Sequence, residues 1–288
     1  MGRNTLRLPT NAIAARLRWL LVLMLVVAPV ACRSSSSPSS SVADLEQRSV
    51  FPAEEAPSQG YGDPARIGAE DAWFAAADNT RLHGLFLPHP KPRAIILYAH
   101  GNGGNVGMWG HVARQLRDRN KVAILVFDYR GYGRSEGTPS EQGVLMDARA
   151  ARAWLARRTG VAEKEIVLMG RSLGGGVAVD LAANDGARGL VLQSTFTSLP
   201  DVAATRMPVA PMLMKYRFDS LSKIAKYHGP VLISHGDADG LIPFEQGKRL
   251  FATANEPKQF FAIPRGDHND PEPEEYHRIL DGFLERLK

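Results

Sequence analysis

Residues 166–176 read Ile-Val-Leu-Met-Gly-Arg-Ser-Leu-Gly-Gly-Gly. The run 166–170 is apolar without polar alternation, the pattern of a short strand covered on both faces. Ser172 follows within the spacing Gly170-Arg171-Ser172-Leu173-Gly174. A serine so placed sits on a sharp strand-to-helix turn. Glycines two before and two after it remove side chains that would collide there. The turn lifts the hydroxyl to the carboxyl end of the sheet, where open α/β sheets take their ligands. The spacing alone is a weak signal, and the chain holds its own control, because Gly133-Arg134-Ser135-Glu136-Gly137 repeats it. There the preceding apolar run ends near Asp128, too early, and Thr138-Pro139 delays the next helix. Ser135 therefore reads as a structural loop residue and Ser172 as the candidate nucleophile.

Around this turn, short apolar runs alternate with longer amphipathic ones. Strands are expected at 72–75, 82–87, 94–99, 122–128, 166–170, 189–194, 231–234 and 259–263. Helices are expected at 106–119, 140–158, 172–184, 244–254 and 273–287. This alternation predicts an α/β fold: a doubly wound, mostly parallel central sheet flanked by helices. The stretch 195–227 is too long for a simple crossover and predicts a short lid insertion beside the site. The catalytic domain is placed at 66–288, after a Ser/Pro-rich linker over 32–65.

The chain has 288 residues with 44% apolar and 23% charged content, values of a globular protein with a sizeable core. Its net charge of +5 comes mostly from the leader. Arg3, Arg7, Arg16 and Arg18 lie in residues 1–31, which carry no acid; without them 35 basic residues become 31, against 30 acidic. No basic stripe remains, which argues against a nucleic-acid partner.

Arg16 and Arg18 precede the apolar run 19–31 (WLLVLMLVVAPVA), a charged region followed by a hydrophobic one as in an export signal. At ~1.5 Å per residue the run reaches about 20 Å, short of the ~30 Å bilayer core. Residues 1–31 are read as a signal peptide. Cys32 is the only cysteine, so an internal disulfide is impossible. It follows Pro29-Val30-Ala31 and precedes Arg33 and a polar Ser/Pro tether, which resembles a bacterial lipobox. Pro29 departs from the aliphatic residue usual three places before the cysteine. The expectation is an exported protein, membrane-anchored in a bacterial envelope through lipid on Cys32, and periplasmic if that modification is absent.

A serine hydroxyl needs a base to take its proton, and the base needs an acid to orient it. His268 follows the last strand in Pro264-Arg265-Gly266-Asp267-His268-Asn269-Asp270, and is the candidate base. The other histidines have plainer places: before the sheet's core (His83, His89), on helices (His111, His277), after the lid (His228), or before glycine at strand ends (His100, His235). Asp239, in His235-Gly236-Asp237-Ala238-Asp239, is the preferred acid, with Asp237 its competitor. A negative oxygen formed during acyl transfer needs fixed donors. The backbone N–H of Leu173 is one candidate and that of Asn102, in His100-Gly101-Asn102-Gly103-Gly104-Asn105, the other. The same loop read as a phosphate cradle lacks the lysine and the spacing. Asp267, His268 and Asp270 have no further histidine or cysteine at ligand spacing, so no metal is expected; acyl transfer through a serine ester needs no cofactor, and none is expected.

Five ordered motifs, YAHGNGGN, FDYRGYGRSEG, GRSLGG, ISHGDADGLIP and GDHND, resemble the α/β-hydrolase superfamily over roughly residues 70–287. The nearest branch is that of small esterases and serine aminopeptidase-like hydrolases, which includes protein depalmitoylases. The resemblance implies the α/β-hydrolase fold, a structural role for the Ser135 loop, and a triad of Ser172, Asp239 and His268. It implies a cofactor-independent serine hydrolase acting on a small-molecule or acyl-bearing substrate, either a carboxylic ester or a thioester. A peptidase or amidase on the same residues is the alternative within enzymes. A membrane-tethered binding module without activity is the alternative outside them. Oligomeric state is not legible in the sequence.

Lipidation gives the first test. Several acyl chains on one cysteine exceed the two anchoring signals that suffice for stable attachment. Cys32→Ser should move the protein from the membrane pellet to the soluble exported fraction, with unchanged activity per molecule. A wild-type protein that is wholly soluble after fractionation excludes the anchor.

Overall fold

The computed structural model describes residues 42–53, 63–206, 212 and 214–287. The expected leader 1–31, Cys32 and most of the expected linker lie outside the described residues. The chain divides into two compact units, Met1–Val50 and Phe51–Lys288. In the first, the described residues form helix α1 (Val42–Val50), within the stretch read as linker. There Ser49 Oγ donates to the Leu45 carbonyl at 2.7 Å. Among the described residues no helix is long and apolar enough to cross a membrane.

The described residues of the second unit build one eight-stranded sheet. Its strands are β1 (Glu70–Ala75), β2 (Arg81–Leu87), β3 (Ile95–Ala99), β4 (Ala123–Phe127), β5 (Val167–Arg171), β6 (Gly189–Gln193), β7 (Val231–Gly236) and β8 (Lys258–Ile263). Their order across the sheet is β1-β2-β4-β3-β5-β6-β7-β8. β2 pairs antiparallel with both β1 and β4, and all pairs from β4 to β8 are parallel. The mostly parallel sheet expected from the apolar runs is thus present. β4, β5, β6 and β7 are buried at every position, as strands covered on both faces must be. β1 begins at Glu70, ahead of the expected start. It is an edge strand that opens on two exposed carboxylates, Glu70 and Asp71, so an apolar criterion misses its first residues.

Helices α2 (Val106–Asn120), α3 (Glu141–Thr159), α4 (Leu173–Asp185), α5 (Leu199–Ala204), α6 (Ser220–Ile224), α7 (Phe244–Thr253) and α8 (Glu274–Arg286) connect the strands. Strand residues of one parity, such as Ile96, Tyr98, Ile124, Val126, Val167 and Met169, share a core with Ala113 and Leu116 of α2 and Leu280 and Phe283 of α8. Residues of the other parity, such as Leu97, Leu125, Leu168 and Leu190, are equally buried and face the opposite side by the two-residue period of a strand. The chain runs from β3 outward to β4 and then returns past β3 to β5. The carboxyl ends of β3 and β5 therefore stand side by side at the switch point, where such sheets form a crevice.

The loop after β4 braces this crevice from below. Asp128 Oδ1 accepts the Val106 N–H at 2.8 Å and so satisfies a free donor at the start of α2. Ser135 Oγ donates to the Asp128 carbonyl at 2.8 Å and accepts the His83 N–H at 2.9 Å. Arg130 sends Nε and Nη2 to Asp147 of α3 at 3.0 and 2.8 Å, and Nη1 to Asp78 at 2.7 Å. Asp147 is fully buried. Within 195–227, α5 and α6 are pinned at their feet. The Leu199 N–H donates to the Arg217 carbonyl, and the N–H groups of Arg217 and Phe218 donate to the Glu141 carboxylate at 2.7 and 2.9 Å. Residues 207–211 and 213 of this stretch lie outside the described residues.

Breaking a buried ion pair by removing one partner leaves a charge without compensation. Asp147→Ala should lower the unfolding free energy by about 3 kcal/mol, the low end of that range because Asp78 still touches Arg130. The double change Arg130→Met/Asp147→Leu should lose less. Urea unfolding followed by circular dichroism measures both, and a double variant weaker than the single one would refute this ordering.

Candidate active site

Ser172 stands between β5 and α4 with φ 52° and ψ −118°, a conformation that side-chain-bearing residues avoid. The local sequence explains how it is tolerated. A Cβ at Gly170 would lie 2.1 Å from the Gly174 carbonyl oxygen, and one at Gly174 would lie 2.0 Å from the Ala99 carbonyl oxygen. Only glycine at both places lets α4 leave the strand so steeply and press against the end of β3. Neighbours fix the backbone of Ser172 itself. Its N–H donates to the Gln193 carbonyl at 2.9 Å, and its carbonyl accepts from Thr195 Oγ1 at 2.7 Å.

His268 lies in the loop between β8 and α8 and is 5% exposed. Its Nε2 is 3.1 Å from Ser172 Oγ, and its Nδ1 is 2.8 Å from Asp239 Oδ2. Asp239, in the turn after β7, is fully buried at its side chain. Its other oxygen, Oδ1, accepts the N–H groups of Leu241 and Ile242 at 2.9 and 2.8 Å. Burial alone would raise the Asp239 carboxyl. Hydrogen bonds from His235 and His268, the charge of His268 and the Ile242 N–H outweigh burial and hold it well below the usual carboxylate range. An ionised carboxylate only accepts, so the His268 proton sits on Nδ1 and the Nε2 lone pair is left to receive the serine proton. The structure thus brings together Ser172, His268 and Asp239 from three loops on one edge of the sheet.

The competing residues have other work. Asp237 Oδ1 accepts the Arg265 N–H at 2.5 Å and so ties two loops together. Asp267 Oδ1 accepts from the N–H groups of Gly240 and His268, and Asp270 Oδ2 accepts the Asp267 N–H. These carboxylates are spent on backbone donors. Among the described residues no group of three or more His, Cys, Asp and Glu is arranged to hold a metal. Ser135 is buried in the loop after β4, with its hydroxyl engaged as described.

The loop after β3 lies against Ser172, since a Cβ on Gly101 would come within 3.7 Å of the Ser172 Cβ. Tyr129 Oη donates to the His100 carbonyl at 2.7 Å and Tyr132 Oη to the Asn102 carbonyl at 3.0 Å. Trp109 Nε1 donates to the Gly103 carbonyl at 2.9 Å. Three rings therefore hold the carbonyls of this loop. Leu173 opens α4, so its N–H belongs to the helix turn that has no partner within the helix.

Three histidines are buried and engaged by partners that their sequence context does not show. His83 is within β2 and fully buried, with Nε2 2.7 Å from Asp71 Oδ1. His100, read as a turn residue, is fully buried among the rings of Trp109, Tyr129 and Tyr132, and burial lowers its pKa. His235, also read as a turn residue, is a buried member of β7. Its Nε2 is 3.0 Å from the Ile242 carbonyl and 3.3 Å from Asp239 Oδ2. A carbonyl only accepts, so this nitrogen carries a proton and Asp239 rests between two imidazoles. The spacing His235 to Asp239 was the available signal, but it reads equally well as turn chemistry.

A carboxyl whose folded pKa is depressed stabilises the fold above its unfolded pKa of about 4, and that stability is lost as pH falls through the folded value. Asp239→Asn should therefore lower the urea midpoint at pH 7. The gap from wild type should narrow as pH falls below about 4. A gap that does not change with pH would show that the carboxylate charge has no part in it.

The family model described as "Serine aminopeptidase, S33" matches residues 90–223. An uncharacterized protein of Mycobacterium tuberculosis is 40% identical over 216 residues, 74% of each chain. The α/β hydrolase domain-containing protein WAV2 of Arabidopsis thaliana is 34% identical over 231 residues, 72% of this chain and 75% of its own. Among solved structures, a Pyrococcus furiosus esterase superposes with a TM-score of 0.66 at 20% identity, over 82% of this chain and 98% of that one. That last likeness is one of fold. With the sheet order, the serine turn and relatives at this identity, the chain belongs to the α/β-hydrolase superfamily.

Proposed function

We propose that the chain is a serine hydrolase that cleaves a carboxylic ester or thioester through an acyl-enzyme on Ser172. The observation that carries this reading is the hydrogen-bond relay from Ser172 Oγ through both nitrogens of His268 to Asp239, at 3.1 and 2.8 Å. Those distances fall within the reach required of a nucleophile, its base and the group that orients the base.

In the first half, Ser172 Oγ attacks the substrate carbonyl carbon while its proton passes to His268 Nε2. The electron pair of the carbonyl moves to oxygen, which the N–H groups of Leu173 and Asn102 would stabilise. The pair returns, the alcohol or thiol leaves, and His268 gives it the proton. In the second half, water attacks the acyl-serine, His268 takes its proton, and the carboxylic acid leaves as Ser172 Oγ is reprotonated. Asp239 stays ionised throughout and steadies the imidazolium.

The Pyrococcus furiosus protein is named an esterase, while the family model carries the name of an aminopeptidase. An ester is preferred because its leaving group needs less exact protonation than an amine.

A fluorophosphonate probe reacts with a serine activated by a neighbouring base. It should label wild-type protein and Ser135→Ala but not Ser172→Ala. On nitrophenyl esters of rising chain length, Ser172→Ala and His268→Ala should each lose several orders of magnitude in kcat. Asp239→Asn should lose about 10⁴-fold and Asp237→Asn only a few-fold. Labelling that survives Ser172→Ala and disappears with Ser135→Ala would reassign the nucleophile. A folded wild type that takes no label and cleaves neither esters nor a peptide amide would favour a tethered binding module.

A further inference from the structure

Arg171 occupies the variable place between Gly170 and Ser172, and its sequence context assigns it no task. In the structure its side chain is 10% exposed and lies under the loop that carries His268. Nη2 donates to the His268 carbonyl at 2.7 Å and to the Asp270 carbonyl at 3.2 Å. Nη1 donates at 2.9 Å to Glu272 Oε1, which also accepts from Gln193 Nε2 at 2.9 Å. The Glu272 side chain is itself only 10% exposed. One guanidinium, on the residue next to Ser172, thus grips residues 268, 270 and 272. That loop has no helix or strand of its own to hold it.

We propose that Arg171 is a positioning residue that fixes His268 Nε2 relative to Ser172 Oγ by clamping the main chain of the histidine's own loop. The inference rests on the serine-hydrolase reading above. The chemistry favours arginine specifically. A planar fork with several donors can meet two carbonyls and a carboxylate at once, which a lysine ammonium on a flexible stem does not reproduce. The contact to the His268 carbonyl is the telling one. It holds the backbone from which the imidazole hangs, while Asp239 holds the ring. Gln193 enters twice, since its carbonyl accepts the Ser172 N–H and its side chain steadies Glu272. Nucleophile and base are therefore referred to one buried framework at the ends of β5 and β6. A misplacement of about 1 Å in such a pair can cost roughly a hundredfold in rate.

The test compares wild type, Arg171→Lys and the double variant Arg171→Met/Glu272→Gln, which leaves no buried charge unpaired. kcat and KM for a nitrophenyl ester, the rate of fluorophosphonate labelling and the melting curve are measured for each, with kinetics taken below every melting transition. The double variant should lose about a hundredfold in kcat with KM within a few-fold, and labelling should slow in parallel. Arg171→Lys should fall between it and wild type. A folded double variant with kcat and labelling within a few-fold of wild type overturns the proposal, even if its melting temperature drops, because the clamp is then structural only. If the double variant does not fold, Arg171→Lys decides, and wild-type kcat in that variant overturns the proposal. A wild type that neither takes the probe nor cleaves esters removes the serine-hydrolase reading first, and the clamp with it. An active wild type with insensitive variants removes the clamp alone.

Discussion

The backbone of Ser172 is the constraint on which the rest of the site turns. Its positive φ is a strained state for a residue with a side chain, costing on the order of 1–3 kcal/mol. Such a state persists only where the surroundings over-determine it. Here both of its peptide groups are engaged by the neighbouring strand end, through Gln193 and Thr195, and the helix behind it begins in contact with the end of β3. The cost is met by strands already committed to the core. This explains why the Ser172 hydroxyl stands at the switch point of the sheet rather than on a loop of free design.

Around that fixed point the electrostatics run in one direction. Asp239 is buried, yet it stays ionised because four donors converge on it: two backbone N–H groups and two imidazoles. Its charge sets the tautomer of His268, and the tautomer decides which nitrogen faces Ser172. His235 adds to this without reaching the serine. It helps make the carboxylate an acceptor with no freedom to rotate.

Much of this was legible in the residues, and the limits have a physical form. The Ser172 turn was readable because strand, glycines and helix start are contiguous and each obeys a local rule. The difference between Ser172 and Ser135 was readable for the same reason. The placement of Asp239 and His268 at the ends of β7 and β8 followed from counting apolar runs. What escaped notice depends on packing between distant segments. Arg171 meets carbonyls 97 and 99 positions away, and the groups it meets are main-chain atoms that every residue possesses. No pattern of side chains announces such a contact. His235 escaped because a histidine before glycine at a strand end has an ordinary local explanation. The start of β1 escaped because that edge strand opens on two exposed acids, Glu70 and Asp71.

The footing of the segment after β6 has one more consequence. Its entry is held by α5 against the Arg217 carbonyl, and its exit is held by the Glu141 carboxylate on two successive peptide N–H groups. Glu141 opens α3, the helix whose buried Asp147 also anchors the loop under the crevice. Among the described residues between these anchors, Arg206 donates to the Gly240 and Leu241 carbonyls, in the turn that carries Asp239. The segment is thereby coupled to that turn, so that a graft which keeps both anchors but removes Arg206 would loosen the support that holds Asp239 against His268.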